Sequence, residues 1–550
     1  MSHRYSFICL LAISGAHLAD AQSFILRQPL GIYARTTPGC TPATNQTQDQ
    51  CLIAKTATLV ANPAVSGIDA EIRWSDLNPA PGVYTWNDLE DVLSAVDAWN
   101  RSNPGKPRKT VQIGVNPGFS SPQWVFDNMA SCDAMFGALP EANPDGTLNP
   151  SYVPYDPPRP SLVPQDCGYV TFLEAESGST PLLPLPLPWS PYYKSAWATF
   201  VRALAQKFGN NPDVVSVSIA GPTASSSEMI LPNQKNDPLN FYKWNYLMAL
   251  TFPPSYQNSD RAFIEAWQDA IDLFSESFSG LTLVMTTGNG LPNFLSPAAP
   301  IGMPANTTGT PYNTYSVPPG FSSVCGSPDL SKIMDCAAEE SVIAYFADPL
   351  VGGLNLKSIQ ENGFGAGSVL INPLGGGDVG QWGVRWLAQT SENGITLLPG
   401  SFTFVSKVFG GFQSTGGITD SAADAQAEGC TLPGTQTCPD LSYEQALYNY
   451  MQSFFDGTKL GTVYGPGNVY NPAVSIVAGT IPLNYLQLYD VDINYAGANA
   501  CDIRGGSCTL SVVTDGAGHT SQLSFQAILE TAAAQILQIA DPTLAFWQLF

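Results

Sequence analysis

Eight short stretches of the chain carry the pattern of β-strands: Gly31–Arg35, Gly67–Trp74, Val111–Asn116, Asp213–Ala220, Leu281–Met285, Ser368–Asn372, Phe402–Ser406 and Tyr485–Tyr489. Each is a short apolar or alternating run, many of them with β-branched residues. Helical stripes fall between many of them. Leu89, Val92, Leu93, Val96 and Trp99 follow Asn87-Asp-Leu-Glu90, which has the form of a capping box. Trp197, Phe200, Val201, Leu204 and Phe208 make a second stripe, with Gly209 as its stop. Phe263, Ile264, Trp267, Ile271 and Phe274 make a third, and Leu447, Tyr450, Met451 and Phe454 behind Ser442-Tyr-Glu-Gln445 a fourth. A last helix is predicted near Leu523 to Ile539.

Strands alternating with helices predict an α/β fold, a (β/α)8 TIM barrel rather than an open sheet. One such barrel takes about 250 residues. The chain has 550, so the surplus is expected in insertions at about 127–191, 291–329 and 413–441 of one barrel domain spanning 22–550. All three follow strands, on the side where barrel active sites form.

The opening of the chain changes the expected compartment. An apolar run from Phe7 to Ile13 follows Arg4, and Ala19-Asp20-Ala21 precedes Gln22, which is the pattern of a secretory signal peptide over 1–21. That run is too short to span a bilayer, so no membrane span is expected after cleavage. The protein is expected to be secreted or periplasmic. Ten cysteines remain beyond Cys9, and an even number in an exported chain suggests disulfides. Their clustering favours neighbours: Cys40 with Cys51, Cys132 with Cys167, Cys325 with Cys336, Cys430 with Cys438, and Cys501 with Cys508. Each pair would staple a loop.

Charge narrows the ligands. Only 12% of residues are charged, with a net charge of -23, and Gly and Pro number 49 and 46. Acidic balance disfavours nucleic acid, whose phosphates call for Lys and Arg. Of the three histidines, His3 and His17 lie in the leader, which leaves His519 after an Asp515-Gly-Ala-Gly turn. Zinc sites built on several histidines are excluded, and no metal or cofactor is expected. Gly375-Gly-Gly-Asp-Val-Gly380 satisfies a dinucleotide fingerprint but falls late in the alternation and reads as a loop. Asp490-Val-Asp-Ile-Asn494 opens like a calcium loop, yet Tyr495 stands where glycine is needed.

Val65-Ser-Gly-Ile-Asp-Ala-Glu-Ile-Arg-Trp74, followed by Pro81-Gly-Val-Tyr-Thr-Trp86, resembles the second strand and loop of retaining (β/α)8 glycoside hydrolases of the β-galactosidase-like type. Asn116-Pro-Gly-Phe-Ser-Ser-Pro-Gln-Trp124 is similar to the segment after their third strand, and Phe208-Gly-Asn-Asn-Pro-Asp-Val-Val-Ser-Val217 to the lead into their fourth. The likeness covers residues 30–295 well and the remainder only in outline. It implies a carbohydrate substrate, specifically β-linked neutral oligo- or polysaccharides. Neutral sugars are held by aromatic faces and polar side chains. Trp74, Trp124 and Tyr489 are the candidate faces, with Asn116 and Gln413 as hydroxyl partners.

Glycoside hydrolysis normally takes two carboxyls, a proton donor and a nucleophile or base. The resemblance puts the donor at the end of strand four, where Ser218-Ile-Ala-Gly-Pro-Thr-Ala-Ser-Ser-Ser-Glu228 makes Glu228 the candidate. Several loop residues stand there in place of the commoner Asn-Glu pair. The second carboxyl of that family ends strand seven, where this chain has Gln413, and an amide is neither nucleophile nor base. Asp490 and Asp492, beside strand eight, are the substitutes, with Glu71 and Glu361 remoter. The alternative is a catalytically degenerate barrel that binds carbohydrate.

Overall fold

In the segment Gly67-Ile-Asp-Ala-Glu-Ile-Arg73, Ile68, Ala70 and Ile72 pack outward with the helical residues Val92, Leu93 and Val96 in one core. Gly67, Asp69 and Glu71 take the opposite face, as the two-residue period of a strand requires. The same alternation recurs around a closed sheet. A computed structural model describes residues 27–36, 40–136, 167–174, 179–233, 261–290, 357–361, 408–414, 416–430, 441–455, 464–465, 469–470, 483–498, 510–515 and 518–540, with isolated positions between them.

Eight parallel strands form the barrel: β1 (Gly31–Thr36), β2 (Val65–Arg73), β3 (Thr110–Asn116), β4 (Val214–Ser218), β5 (Thr282–Gly290), β6 (Lys357–Glu361), β7 (Val408–Gln413) and β8 (Leu483–Tyr489). They pair in sequence order, and β8 returns to β1 through Gly31↔Tyr485 and Arg35↔Tyr489. Closure leaves no barrel edge to be capped. The expected TIM barrel is therefore the fold.

Two strands differ from expectation. The sixth is Lys357–Glu361 and the seventh Val408–Gln413, whereas Ser368–Asn372 and Phe402–Ser406 lie outside the described residues. Lys-Ser-Ile-Gln-Glu looks too polar for a buried strand, and Phe-Gly-Gly-Phe looks like a break. Tertiary packing overrides both signals. The ring of Tyr485 lies where a side chain at Gly411 would stand, with Cζ only 2.1 Å from the site of its Cβ. Glycine inside β7 makes room for that ring.

Helices Asn87–Ser102, Pro191–Phe208, Arg261–Ser277, Tyr443–Phe455 and Phe525–Ala540 match the five predicted stripes. The capping box at Asn87 is absent, because the helix is preceded by Trp86 and has no side-chain cap. A capping box does open an unanticipated helix, Gln48–Ala61, where Thr47 and Gln50 satisfy each other's backbone N–H groups. Ser442 Oγ accepts from the N–H of Gln445 at 3.1 Å and starts the helix beyond it.

Within the first insertion, Cys167–Glu174 and Ser179–Pro186 form an antiparallel pair, flanked by Ala130–Ser131. The run Pro181-Leu-Leu-Pro-Leu-Pro186 is thus the outer strand of a small sheet, a position where prolines are tolerated for want of an N–H to donate. Cys132–Cys167 ties this sheet together, and Cys40–Cys51 ties the loop after β1 to its helix. Cys430 is also disulfide-bonded. Cys325, Cys336, Cys438, Cys501 and Cys508 lie outside the described residues, as do residues 1–21, where a leader is expected, and 291–329, where an insertion is expected. No helix among the described residues is long and apolar enough to cross a membrane.

Candidate active site

Barrel interiors are ordinarily filled with branched apolar side chains. This one is polar. Its lower layer holds Tyr33 and Tyr485, packed edge to face with centroids 5.9 Å apart, and Tyr33 shares a hydrogen bond of 2.6 Å with Thr110. Burial raises the pKa of Tyr33 to about 12 and that of Tyr485 further, so both hydroxyls remain neutral.

Above them runs a chain of amides. Gln487 donates to Gln112 at 2.9 Å, Gln360 donates to Gln487 at 2.8 Å and to Gln413 at 3.4 Å, and Gln413 donates to the Tyr489 hydroxyl at 3.3 Å. Tyr485 donates to Gln360 Oε1 at 2.9 Å. Gln413 therefore does end β7, and its amide is engaged at both ends. Neither Gln360 nor Gln487 was singled out from the sequence. Glutamine carries no charge and no motif, and only a polar residue on alternate positions of a fully enclosed strand would have flagged them.

Glu228 reaches the barrel mouth by an excursion. Ser218, the last residue of β4, pairs with Val284 of β5, whereas Glu228 pairs with Thr286, two residues further along the same strand. Gln360 of β6 occupies the other edge of Thr286, so the short strand Glu228–Ile230 lies on the β4 side. The intervening loop leaves the sheet and returns Glu228 to the level that an uninterrupted β4 would reach two residues later. Ladder partners share a face of the sheet, so Glu228 projects inward with Thr286 and Gln360. The loop is locked from β3. Gly118, at φ 68°, lies so close to Ala224 that a Cβ would fall 2.1 Å from its carbonyl oxygen, and Phe119 N–H donates to that oxygen at 2.6 Å.

A second carboxylate stands nearby on β2. Glu71 is 6% exposed, and its Oε1 accepts a long hydrogen bond of 3.4 Å from Ser227 Oγ, the residue before Glu228. Glu71 Oε2 and both oxygens of Asp69 are buried without a hydrogen-bond partner. Arg35 of β1 is the counter-charge: its pKa is raised because the attraction of Glu71, Tyr489, Asp69 and Glu228 outweighs the penalty of burial. Its guanidinium carbon lies 5.5 Å from the Tyr489 ring centre. Burial first, and then the neighbouring Glu71, push the carboxyl of Asp69 well above its ordinary range, against the pull of Arg35. Arg35 and Asp69 went unnoticed in the sequence. Their signal was the strict alternation of charge with Ile and Ala on strands that a barrel covers on both faces.

The remaining candidates separate. Asn116 ends β3, and its buried Oδ1 lacks a partner, as do Gln112 Nε2 and Thr286 Oγ1 on the same inner surface. Trp124 is partly buried and donates to the Asn78 carbonyl at 2.9 Å. Trp74 is 0% exposed, ringed by Trp124, Tyr193, Trp197 and Phe200 at centroid distances of 5.0 to 6.1 Å. Its faces are occupied by other rings, so it is a packing residue rather than a sugar platform. Asp490 accepts from Thr36 at 3.1 Å and pairs with Lys55 at 2.8 Å. Asp492 is 0% exposed and accepts from the N–H groups of Ile418 and Thr419 and the Thr419 hydroxyl. Both oxygens of this candidate substitute for the second carboxyl are thus engaged in holding the Ile418–Thr419 loop. Among the described residues no group of three His, Cys, Asp or Glu side chains is arranged to hold a metal ion.

No protein-family model matches the chain, and no curated protein matches it. Among solved structures, it is similar to a β-galactosidase from the psychrophilic Marinomonas ef1, at 10% identity and a TM-score of 0.37 over 94% of this chain and 61% of that one. An exo-β-1,4-mannosidase from Opitutaceae bacterium strain TAV5 matches at 11% identity and 0.34, over 93% and 60%. The catalytic domain of a β-amylase from Paenibacillus polymyxa matches at 9% identity and 0.33, over 85% and 94%. The chain thus spans about three fifths of the first two structures. Likeness this distant carries no argument about chemistry, and the barrel rests on its own strand order.

Proposed function

We propose that the protein is an exported glycoside hydrolase acting on β-linked neutral saccharides, with Glu228 as general acid/base. The observation that carries the reading is the register of Glu228. It returns to the β4 edge of β5 at the barrel mouth, facing inward toward Arg35, where a proton donor to a glycosidic oxygen is needed. The chain of glutamine amides across the interior suits a ligand of hydroxyl groups. Export is supported by the leader pattern of the first 21 residues and by disulfides, which persist in oxidising compartments. Asn116 and Tyr489, at the ends of β3 and β8, and Trp124 beyond them are the residues proposed to contact sugar hydroxyls and ring faces.

A catalytically degenerate, carbohydrate-binding barrel is the second reading, and Gln413 at the end of β7 favours it. A panel of 4-nitrophenyl β-glycosides separates the two. The hydrolase releases nitrophenol, and Glu228→Gln lowers kcat by about 10²–10⁴-fold with little change in binding. Binding of the sugars without release would leave the degenerate barrel. Full activity in Glu228→Gln would remove Glu228 from its role.

A further inference from the structure

Strand seven, which ends in Gln413, offers no carboxylate, yet the barrel interior holds one that its fold has gone to some length to accommodate. The carboxylate of Glu71 sits over Gly114 of β3, its ladder partner, and a Cβ there would lie 2.3 Å from Oε1. Any other residue at 114 would displace it. One of its oxygens is held by Ser227, adjacent to Glu228, and the other is buried with no donor. A buried polar atom left unpaired costs free energy and calls for an explanation. Burying two acidic groups, Asp69 and Glu71, two residues apart on one strand is costlier still. Arg35 offsets part of that cost and draws both Glu71 and Glu228 into one electrostatic group.

Resting on the hydrolase reading above, we propose that Glu71 is the second catalytic carboxylate, the nucleophile relocated from strand seven to strand two. In the first step Glu71 Oε2 forms a bond to the anomeric carbon while the glycosidic oxygen leaves with the proton of Glu228. In the second step Glu228 takes a proton from water, the water oxygen bonds to the anomeric carbon, and the ester bond to Glu71 breaks. Both carboxyls return to their starting states, and one water is consumed. Arg35, whose charge is attracted by both groups, stabilises the negative charge that returns to Glu71 as it leaves.

The test uses the full chain and 2,4-dinitrophenyl 2-deoxy-2-fluoro-β-glycosides of galactose, glucose and mannose, which leave a slowly hydrolysed glycosyl ester on the nucleophile. Peptide mapping of the wild-type protein is expected to place the added mass on Glu71. Glu71→Ala should lose about 10³-fold or more in kcat, and azide should restore part of that turnover by forming a glycosyl azide. Gln413→Glu should bring no gain. Three results overturn the proposal: label on another carboxylate, Glu71→Gln within tenfold of wild type, or a gain of tenfold or more in Gln413→Glu. Mapping on the wild-type chain decides the matter even where a Glu71 variant fails to fold. Absence of turnover and label in the wild-type protein with every glycoside would remove the hydrolase reading and the Glu71 role together, whereas an active enzyme labelled elsewhere removes Glu71 alone.

Discussion

Glu71 and Gly114 face each other across the β2–β3 ladder, and the carboxylate fills the space that a side chain at 114 would take. Gly114→Ala is therefore expected to push Glu71 out of place without removing any functional group. A misplacement of about 1 Å in a catalytic group can cost on the order of 10²-fold. Kinetics of Gly114→Ala on the best nitrophenyl glycoside should show that loss in kcat. A variant as active as the parent would show that the position of Glu71 is immaterial.

Arg35 is the cation set among Glu71, Asp69 and Glu228. Arg35→Met leaves buried acidic groups without their counter-charge, which is expected to destabilise the protein by a few kcal/mol. Adding Glu71→Gln to Arg35→Met should recover part of that loss, since the amide removes the charge that had lost its partner. Urea unfolding of the single and double variants measures the coupling, and strict additivity would contradict it.

Asp492 has a pKa raised to about 6, because burial outweighs the hydrogen bonds from Thr419 and Ile418. A folded-state pKa above the ordinary carboxylate value of about 4 means that the native state binds more protons than the unfolded chain between about pH 4 and 6. Asp492 therefore contributes a loss of stability as pH rises through that window, on the order of 3 kcal/mol in total. Melting curves at pH 4 and pH 7 should show a smaller fall in Asp492→Asn than in the parent. Equal pH dependence in both would exclude the assignment.

Cys132–Cys167 closes a loop of 35 residues and joins Ala130–Ser131 to the proline-bearing hairpin. Loop-closure entropy puts the stabilisation at about 4 kcal/mol. Cys132→Ser with Cys167→Ser should lower the denaturant midpoint by that order and expose the hairpin to limited proteolysis. Cutting elsewhere first would point to another weak element.

Much of the barrel was legible in the chain. The runs around Ile32, Ile68, Val111, Val217 and Leu486 carry the period of strands, and the stripes of Val92, Phe200, Trp267 and Leu447 that of helices, because burial of one face leaves its period in the sequence. Glu228 stood out through its place after strand four. Strands six and seven did not, since Lys357–Glu361 is polar and Val408–Gln413 is broken by two glycines, of which Gly411 admits the ring of Tyr485. Trp74 shows the opposite failure. Its position after strand two suggests a sugar face, and only packing reveals four rings around it.

What the sequence determined by itself was therefore the local periodicity, the neighbour pairing of Cys40 with Cys51 and of Cys132 with Cys167, and the presence of a carboxylate after strand four. Tertiary structure alone decided which polar groups meet. Arg35, Asp69, Glu71 and Glu228 come from three separate strands, and their proximity depends on the closure and register of the sheet. The excursion from Ser218 to Glu228 makes the point in one loop: its length in sequence says nothing of where it ends. Ladder pairing with Thr286 on β5 brings Glu228 back to the mouth.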